Sequence, residues 1–166
     1  MRQTVSADEF ETAYDTYSAA VYRLALVYLG RPADAEDVTQ DVFLRLLTKA
    51  PAFSDDDHAR AWLLRVTANR SNDLFRSPWQ RRVPLEEANA LASPATDVPG
   101  ETLAAVLALP PKLRVVVHLF YYEELSVTQI AKLLNMREGA VKTRLSRARA
   151  LLRRNLLEGG ENDAVG

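Results

Sequence analysis

With 166 residues, 48% of them hydrophobic, the chain is long enough for one ordinary domain or two small ones, each with a buried core. It has no cysteine and only two histidines, His58 and His118, which excludes disulfides, thiolate metal sites and cysteine nucleophiles and leaves little for metal or proton chemistry, so no cofactor is expected. A net charge of -1 excludes a uniformly basic coat, and the absence of any run near the ~18 apolar residues of a membrane span, or of a basic stretch leading into an apolar one over Met1 to Asp8, points to a cytoplasmic protein.

In chain order, Ser6 to Glu9 has the S-x-x-E form of a capping box. Phe10, Tyr14, Tyr17, Val21, Leu24 and Tyr28 then recur every three or four residues, which predicts one long amphipathic helix stopped by Gly30 and Pro32. A second helix is expected from about Ala33 to Ala50, with Val38, Val42, Phe43, Leu46 and Leu47 as its buried stripe and Pro51 as its breaker. Residues 51–58 read as an acidic loop. A third helix carries Trp62, Leu63, Val66 and Leu74 inward and ends near Arg76, because Ser77 precedes a proline. No strand-like alternation occurs.

Residues 79–100 change character, with Pro84, Pro94, Pro99 and many small residues, and read as a flexible connector. Beyond it a short helix (Leu103, Val106, Leu107) meets Pro110-Pro111, and a longer one carries Leu113, Val116, Val117 and Phe120. Ser126 to Gln129 forms a second capping box, opening a helix with Ile130, Ala131, Leu133 and Leu134. After a tight turn at residues 135–137, Val141, Leu145, Ala148 and Leu152 form the seam of a last helix. The expectation is an all-α protein of two small helical domains, 1–78 and 101–158, joined by a linker at 79–100 and followed by a tail at 159–166.

Charge separates the halves. Met1 to Pro78 holds 9 basic and 12 acidic residues, a balance of -3, whereas Glu101 to Gly166 holds 10 basic and 7 acidic, a balance of +3. From Arg137 to Arg154 seven basic residues stand against one acid, Glu138. Two helices joined by a short turn, the second one basic, is the helix-turn-helix pattern, whose second helix enters the major groove of DNA. At 100° per residue the apolar seam leaves Lys142, Thr143, Ser146, Arg147 and Arg153 on the outward face, while Gly139 and Ala150 are small enough for close approach. Arginine and lysine donate to guanine N7 and O6, and hydroxyls serve either base edge. Trp62 and His118 lie on apolar faces and read as core.

Three stretches in order, DAEDVTQDVFLRLL (34–47), AWLLRVTANR (61–70) and EGAVKTRLSRAR (138–149), closely resemble an extracytoplasmic-function sigma factor of the bacterial sigma-70 family, and the likeness covers nearly the whole chain. The resemblance implies a promoter-specificity subunit without bond chemistry of its own. Its front module would be region 2, docking on the clamp helices of the largest subunit of core RNA polymerase, and Asp37, Gln40, Asp41 and Leu44 share one helical face that suits such a contact. It also implies capture of an unpaired minus-ten base, with Phe53 and Asn69 at the matching positions and Arg65 and Arg70 available to phosphates. The rear module would be region 4, reading the minus-thirty-five element with Lys142, Thr143, Ser146 and Arg147, while Arg137 and Arg144 are placed for phosphates. An anti-sigma partner is implied as well.

Two other readings are open to the residues alone. One is a homodimeric helix-turn-helix regulator, which would bind palindromic DNA tightly without polymerase. The other is a metal-dependent helical hydrolase built on Asp34, Glu36, Asp37, Asp41 and His58, against which consecutive acids point around a helix rather than converging.

Overall fold

The computed structural model describes residues 5–76 and 100–165, with side chains over 5–76 and 104–155. Among the described residues every regular element is helical, and the chain divides into two compact units, Met1–Gly100 and Glu101–Gly166. Most of the expected connector lies outside the described residues.

The front unit packs three helices against one another: α1 (Ala7–Leu29), α2 (Pro32–Lys49) and α3 (Asp56–Phe75). The α1 start is the expected box, in which the Glu9 N–H donates to Ser6 Oγ at 3.2 Å and the Ser6 N–H to Glu9 Oε2 at 2.9 Å. Gly30 ends the helix with φ 74°, a left-handed conformation that glycine adopts without a Cβ penalty, and its N–H donates to the Leu26 carbonyl. From Ala20 to Leu29 nearly every side chain of α1 is buried, so this half serves as the core of the unit rather than as one amphipathic wall. Leu24, Leu26 and Leu29 each contribute about 1.5–3 kcal/mol by leaving water. Two threonines are admitted to the core because their hydroxyls bond back to the preceding turn, Thr39 to Ala35 O at 2.7 Å and Thr67 to Leu63 O at 2.6 Å.

Two expectations are corrected here. Leu47 belongs to the surface, at 39% exposure, because α2 buries the narrower stripe of Val38, Val42, Phe43 and Leu46 against α1 and α3. The acidic run is the start of α3 rather than a loop. Asp55 is the N-cap, accepting the His58 N–H at 2.7 Å, and Asp56 and Asp57 occupy the first turn, where the positive end of the helix dipole favours them. On α3, Leu63 is buried, whereas Trp62, Val66 and Leu74 are half-buried at its edge.

The rear unit holds α4 (Gly100–Leu107), α5 (Pro111–Val117), a π-helical turn (His118–Tyr122), α6 (Val127–Leu134) and α7 (Glu138–Val165). Residues Leu113 to Leu119 are buried on every side of α5, and α7 packs on both α5 and α6. The buried run includes a charge: Arg114 is 1% exposed and donates from Nη1 to the Leu107 carbonyl at 3.4 Å. Burial pulls its guanidinium down to about 10, still cationic at neutral pH. Arg114→Ala is expected to destabilise this unit by about 2–5 kcal/mol through the cavity and the lost carbonyl contacts, measurable as a lowered thermal midpoint.

The expected single helix through Phe120 is interrupted by the π turn, closed by the Glu123 N–H donating to His118 O at 3.1 Å. A buried pair holds it, with His118 Nε2 3.2 Å from Glu123 Oε1 and the Tyr122 ring stacked on the imidazole. His118 is therefore core, as its apolar surroundings predict. The helix of α7 continues to Val165 through the segment expected as a tail: Gly159 and Gly160 weaken it by about 1 kcal/mol each without ending it, since no proline follows to block the next turn.

Candidate nucleic-acid and polymerase interfaces

The helix-turn-helix of the rear module is built from local signals. Ser126 caps α6 through reciprocal bonds with Gln129, at 3.1 and 2.8 Å. Asn135 ends it in the left-handed region with φ 54°, and the Met136 N–H donates to Ala131 O at 2.8 Å. The corner is pinned by a side-chain bond from Thr128 Oγ1 on α6 to Glu138 Oε1 at the start of α7, at 2.8 Å.

With Val141, Leu145 and Ala148 buried, the opposite side of α7 presents Lys142, Thr143, Ser146 and Arg147 to solvent, alongside Arg137 on the turn. Arg144 is half-buried at the border of the seam. A Cβ built on Gly139 would meet nothing within 4 Å, so the protein itself gives no reason for a glycine there. Thr143 donates its hydroxyl proton to the Gly139 carbonyl at 2.9 Å and so offers the solvent side mainly an acceptor, complementary to the amino group of adenine or cytosine.

Sequence reasoning missed one basic residue of this unit. Arg149 donates from Nε to the Tyr121 hydroxyl at 2.5 Å, and its guanidinium carbon lies 5.8 and 5.6 Å from the ring centroids of Phe120 and Tyr121. Its signal in the sequence was its place on the wheel, at the edge of the outward face.

In the front unit, Phe53 is half-buried and packs edge-on against His58 and Trp62, at centroid distances of 5.3 and 5.7 Å. His58, Trp62, Arg65 and Asn69 follow at spacings of three and four along α3, hence on one stripe, and Arg65 and Asn69 are exposed. Asn69 stands two turns, roughly 10 Å, beyond Trp62. Arg70 turns away from this stripe. Its Nε donates to Asp41 Oδ2 on α2 at 2.8 Å, so two residues expected on different interfaces hold each other. Both are more than a third exposed, so the pair contributes well under 1 kcal/mol. A cleft of about 870 Å³ opens beside Phe53 towards α1, but Asp8, Glu9, Asp55 and Asp56 line it, a charge that repels phosphate.

On α2, Asp37 and Gln40 are exposed, Asp41 is half-buried, and Leu44 stands 58% exposed among them. A solvated leucine inside an acidic helical face is the arrangement of an apolar anchor with a charged surround. Among the described residues no three His, Asp or Glu side chains gather as metal ligands, and no helix is long and apolar enough to cross a membrane.

These features define an all-helical protein with a three-helix front unit and a basic helix-turn-helix behind it. Residues 13–82 match the family model of sigma-70 region 2, and residues 100–152 that of sigma-70 region 4. The chain is 35% identical over 157 residues to the ECF RNA polymerase sigma factor SigL of Mycobacterium tuberculosis, covering 89% of this chain and 88% of the relative. It is 29% identical over 167 residues to the ECF RNA polymerase sigma factor SigW of Bacillus subtilis, with 90% and 89% covered. Its fold is similar to CnrH, solved in complex with the cytosolic domain of CnrY, with a TM-score of 0.65 at 25% identity over 91% of this chain and 89% of that one. It also matches the fold of the sigma factor RpoE of Bartonella quintana, solved with the anti-sigma factor NepR, with a TM-score of 0.70 at 21% identity over 90% and 98%. The chain belongs to the extracytoplasmic-function sigma factors of the sigma-70 family.

Proposed function

We propose that this chain directs core RNA polymerase to its promoters through three surfaces: Asp37, Gln40, Asp41 and Leu44 on α2 for the clamp helices of the largest subunit, Phe53 together with the α3 stripe that ends at Asn69 for an unpaired minus-ten base, and the outer face of α7 for the minus-thirty-five duplex. The observation that carries it is the polar side of α7, free at the surface opposite a buried seam, on a helix-turn-helix whose corner is pinned by Thr128 and Glu138. Division of labour follows from the chemistry. Duplex DNA is read by a helix in the groove, whereas a flipped base and its strand bind only once the duplex has opened, so binding energy favours the open state. The protein supplies recognition and no bond chemistry, and it acts in the cytoplasm. Residues 1–78 and 101–158 form the two modules, with residues 79–100 joining them.

An anti-sigma factor is the expected inhibitor, since the two solved relatives above carry CnrY and NepR. The rival homodimeric regulator predicts tight palindromic binding by the chain alone. Run-off transcription with purified core polymerase on a randomised promoter library tests the two: enrichment of one spaced pair of elements, dependent on the chain, is expected, whereas selective binding to inverted repeats without polymerase overturns the proposal.

Gly139→Ala offers a second check. It replaces a helical glycine with nothing in the way, so the rear unit should gain up to about 1 kcal/mol. If the glycine is there for close approach to DNA, the same variant weakens promoter binding, and a more stable protein with unchanged affinity removes that role.

A further inference from the structure

The outward face of α7 is bordered on both sides by an arginine. At about 100° per residue, Arg144 and Arg149 lie roughly 110° to either side of its centre, between the reading residues and the buried seam. A helix seated in the major groove is walled by two sugar-phosphate strands, one along each border. Arg144 stands at one border and Arg149 at the other.

The structure prepares Arg149 for that place by a chain of contacts that begins in the core. The buried His118–Glu123 pair and the His118–Tyr122 stack hold the π turn. The five-residue turn shifts the register of the chain after α5 and leaves Tyr121 53% exposed beside α7. There its hydroxyl accepts from Arg149 Nε, and the two rings, set edge to face 5.0 Å apart, lie under the guanidinium. Arg149 is exposed and, among the described residues, has no carboxylate partner, so its charge stays available. Fixing Nε and the guanidinium plane leaves the two Nη groups to donate to phosphate oxygens, with part of the ordering entropy already removed. Burial of the aromatic shelf alone would not call for a cation on it.

Resting on the reading of α7 as the groove helix, we propose that Arg149 is a preformed phosphate contact on the strand opposite to that met by Arg144, and that Tyr121 is its positioning residue.

The test uses the full chain reconstituted with core RNA polymerase and a duplex recovered by selection from a randomised pool, with affinity measured across a series of KCl concentrations. Arg149→Gln is expected to reduce the slope of log affinity against log salt by about 0.9, the value of one phosphate contact, and to weaken binding roughly tenfold at moderate salt while base preference is unchanged. Arg149→Lys should keep the slope, since the charge remains. Tyr121→Phe should also keep it but lose roughly two- to tenfold in affinity, because the arginine must now be ordered on binding. A purely structural contact between Arg149 and the shelf would lower thermal stability and leave the slope alone; that result overturns the assignment. A changed base preference in Arg149→Gln overturns it too, by placing the side chain on a base. A wild-type chain that prefers no sequence over scrambled DNA upstream overturns the groove reading itself, which separates the two failures.

Discussion

Replacing Arg147 with alanine is expected to weaken upstream promoter recognition by about 1–3 kcal/mol, roughly a five- to 150-fold loss, and to flatten base preference at one position of the element. The residue is exposed on the outer face of α7, one position from Ser146 and one turn beyond Thr143. Its planar fork can donate to both acceptors of a guanine edge, a geometry that a single hydroxyl cannot reproduce. Truncation removes those donors without touching the seam of Val141, Leu145 and Ala148, so stability should change by less than about 0.5 kcal/mol. Competition of the reconstituted holoenzyme between selected and single-substituted duplexes measures it. A uniform loss on every duplex, with the preference intact, would move Arg147 from the bases to the backbone.

Thr143 should behave differently on the same face. Its hydroxyl proton is spent on Gly139, so donating to a base requires breaking a bond the helix already has, whereas accepting costs nothing. Ser146, exposed one turn on, carries no such restraint. The two hydroxyls look alike in sequence and differ in what they offer the groove.

That contrast shows where legibility ended. Both capping boxes, the Gly30 stop, the corner at Asn135 and the seam of α7 were readable because each is a contact within a few residues, set by backbone geometry and the helical period. The partners of exposed side chains were not. Asp41 and Arg70 are 29 positions apart, and periodicity assigns each to a face without saying that the two faces adjoin. The π turn was hidden for a related reason: it depends on His118 and Glu123 meeting inside the core, and the apolar pattern on both sides fits an unbroken helix equally well. Leu47 failed by geometry, since two flanking helices cover a narrower stripe of α2 than hydrophobicity marks out. The acidity of Asp55 to Asp57 suits a solvated loop and a helix start alike, and at the helix start the same charges stabilise.

The larger effect is expected on the front unit. Leu44→Arg should reduce association with core polymerase at least a hundredfold while the fold survives. At 58% exposure the side chain contributes little to the folded state, so its replacement by a long polar one should shift the thermal midpoint only slightly. At an interface the same leucine would be the part of the α2 face that loses the most water, and hot-spot energies concentrate at such anchors, with the surrounding carboxylates giving orientation and encounter rate. An arginine there also puts a positive charge into an acidic face whose Asp37 and Asp41 suit a basic partner, so repulsion adds to the lost apolar contact. Asp41 is the less decisive site: its bond to Arg70 means that reversing its charge disturbs α3 as well as α2. Co-purification with core enzyme, paired with thermal unfolding of the free chain, reads both halves of the expectation. Unchanged association of a folded Leu44→Arg protein would take α2 out of the polymerase contact and leave the exposed leucine without that role.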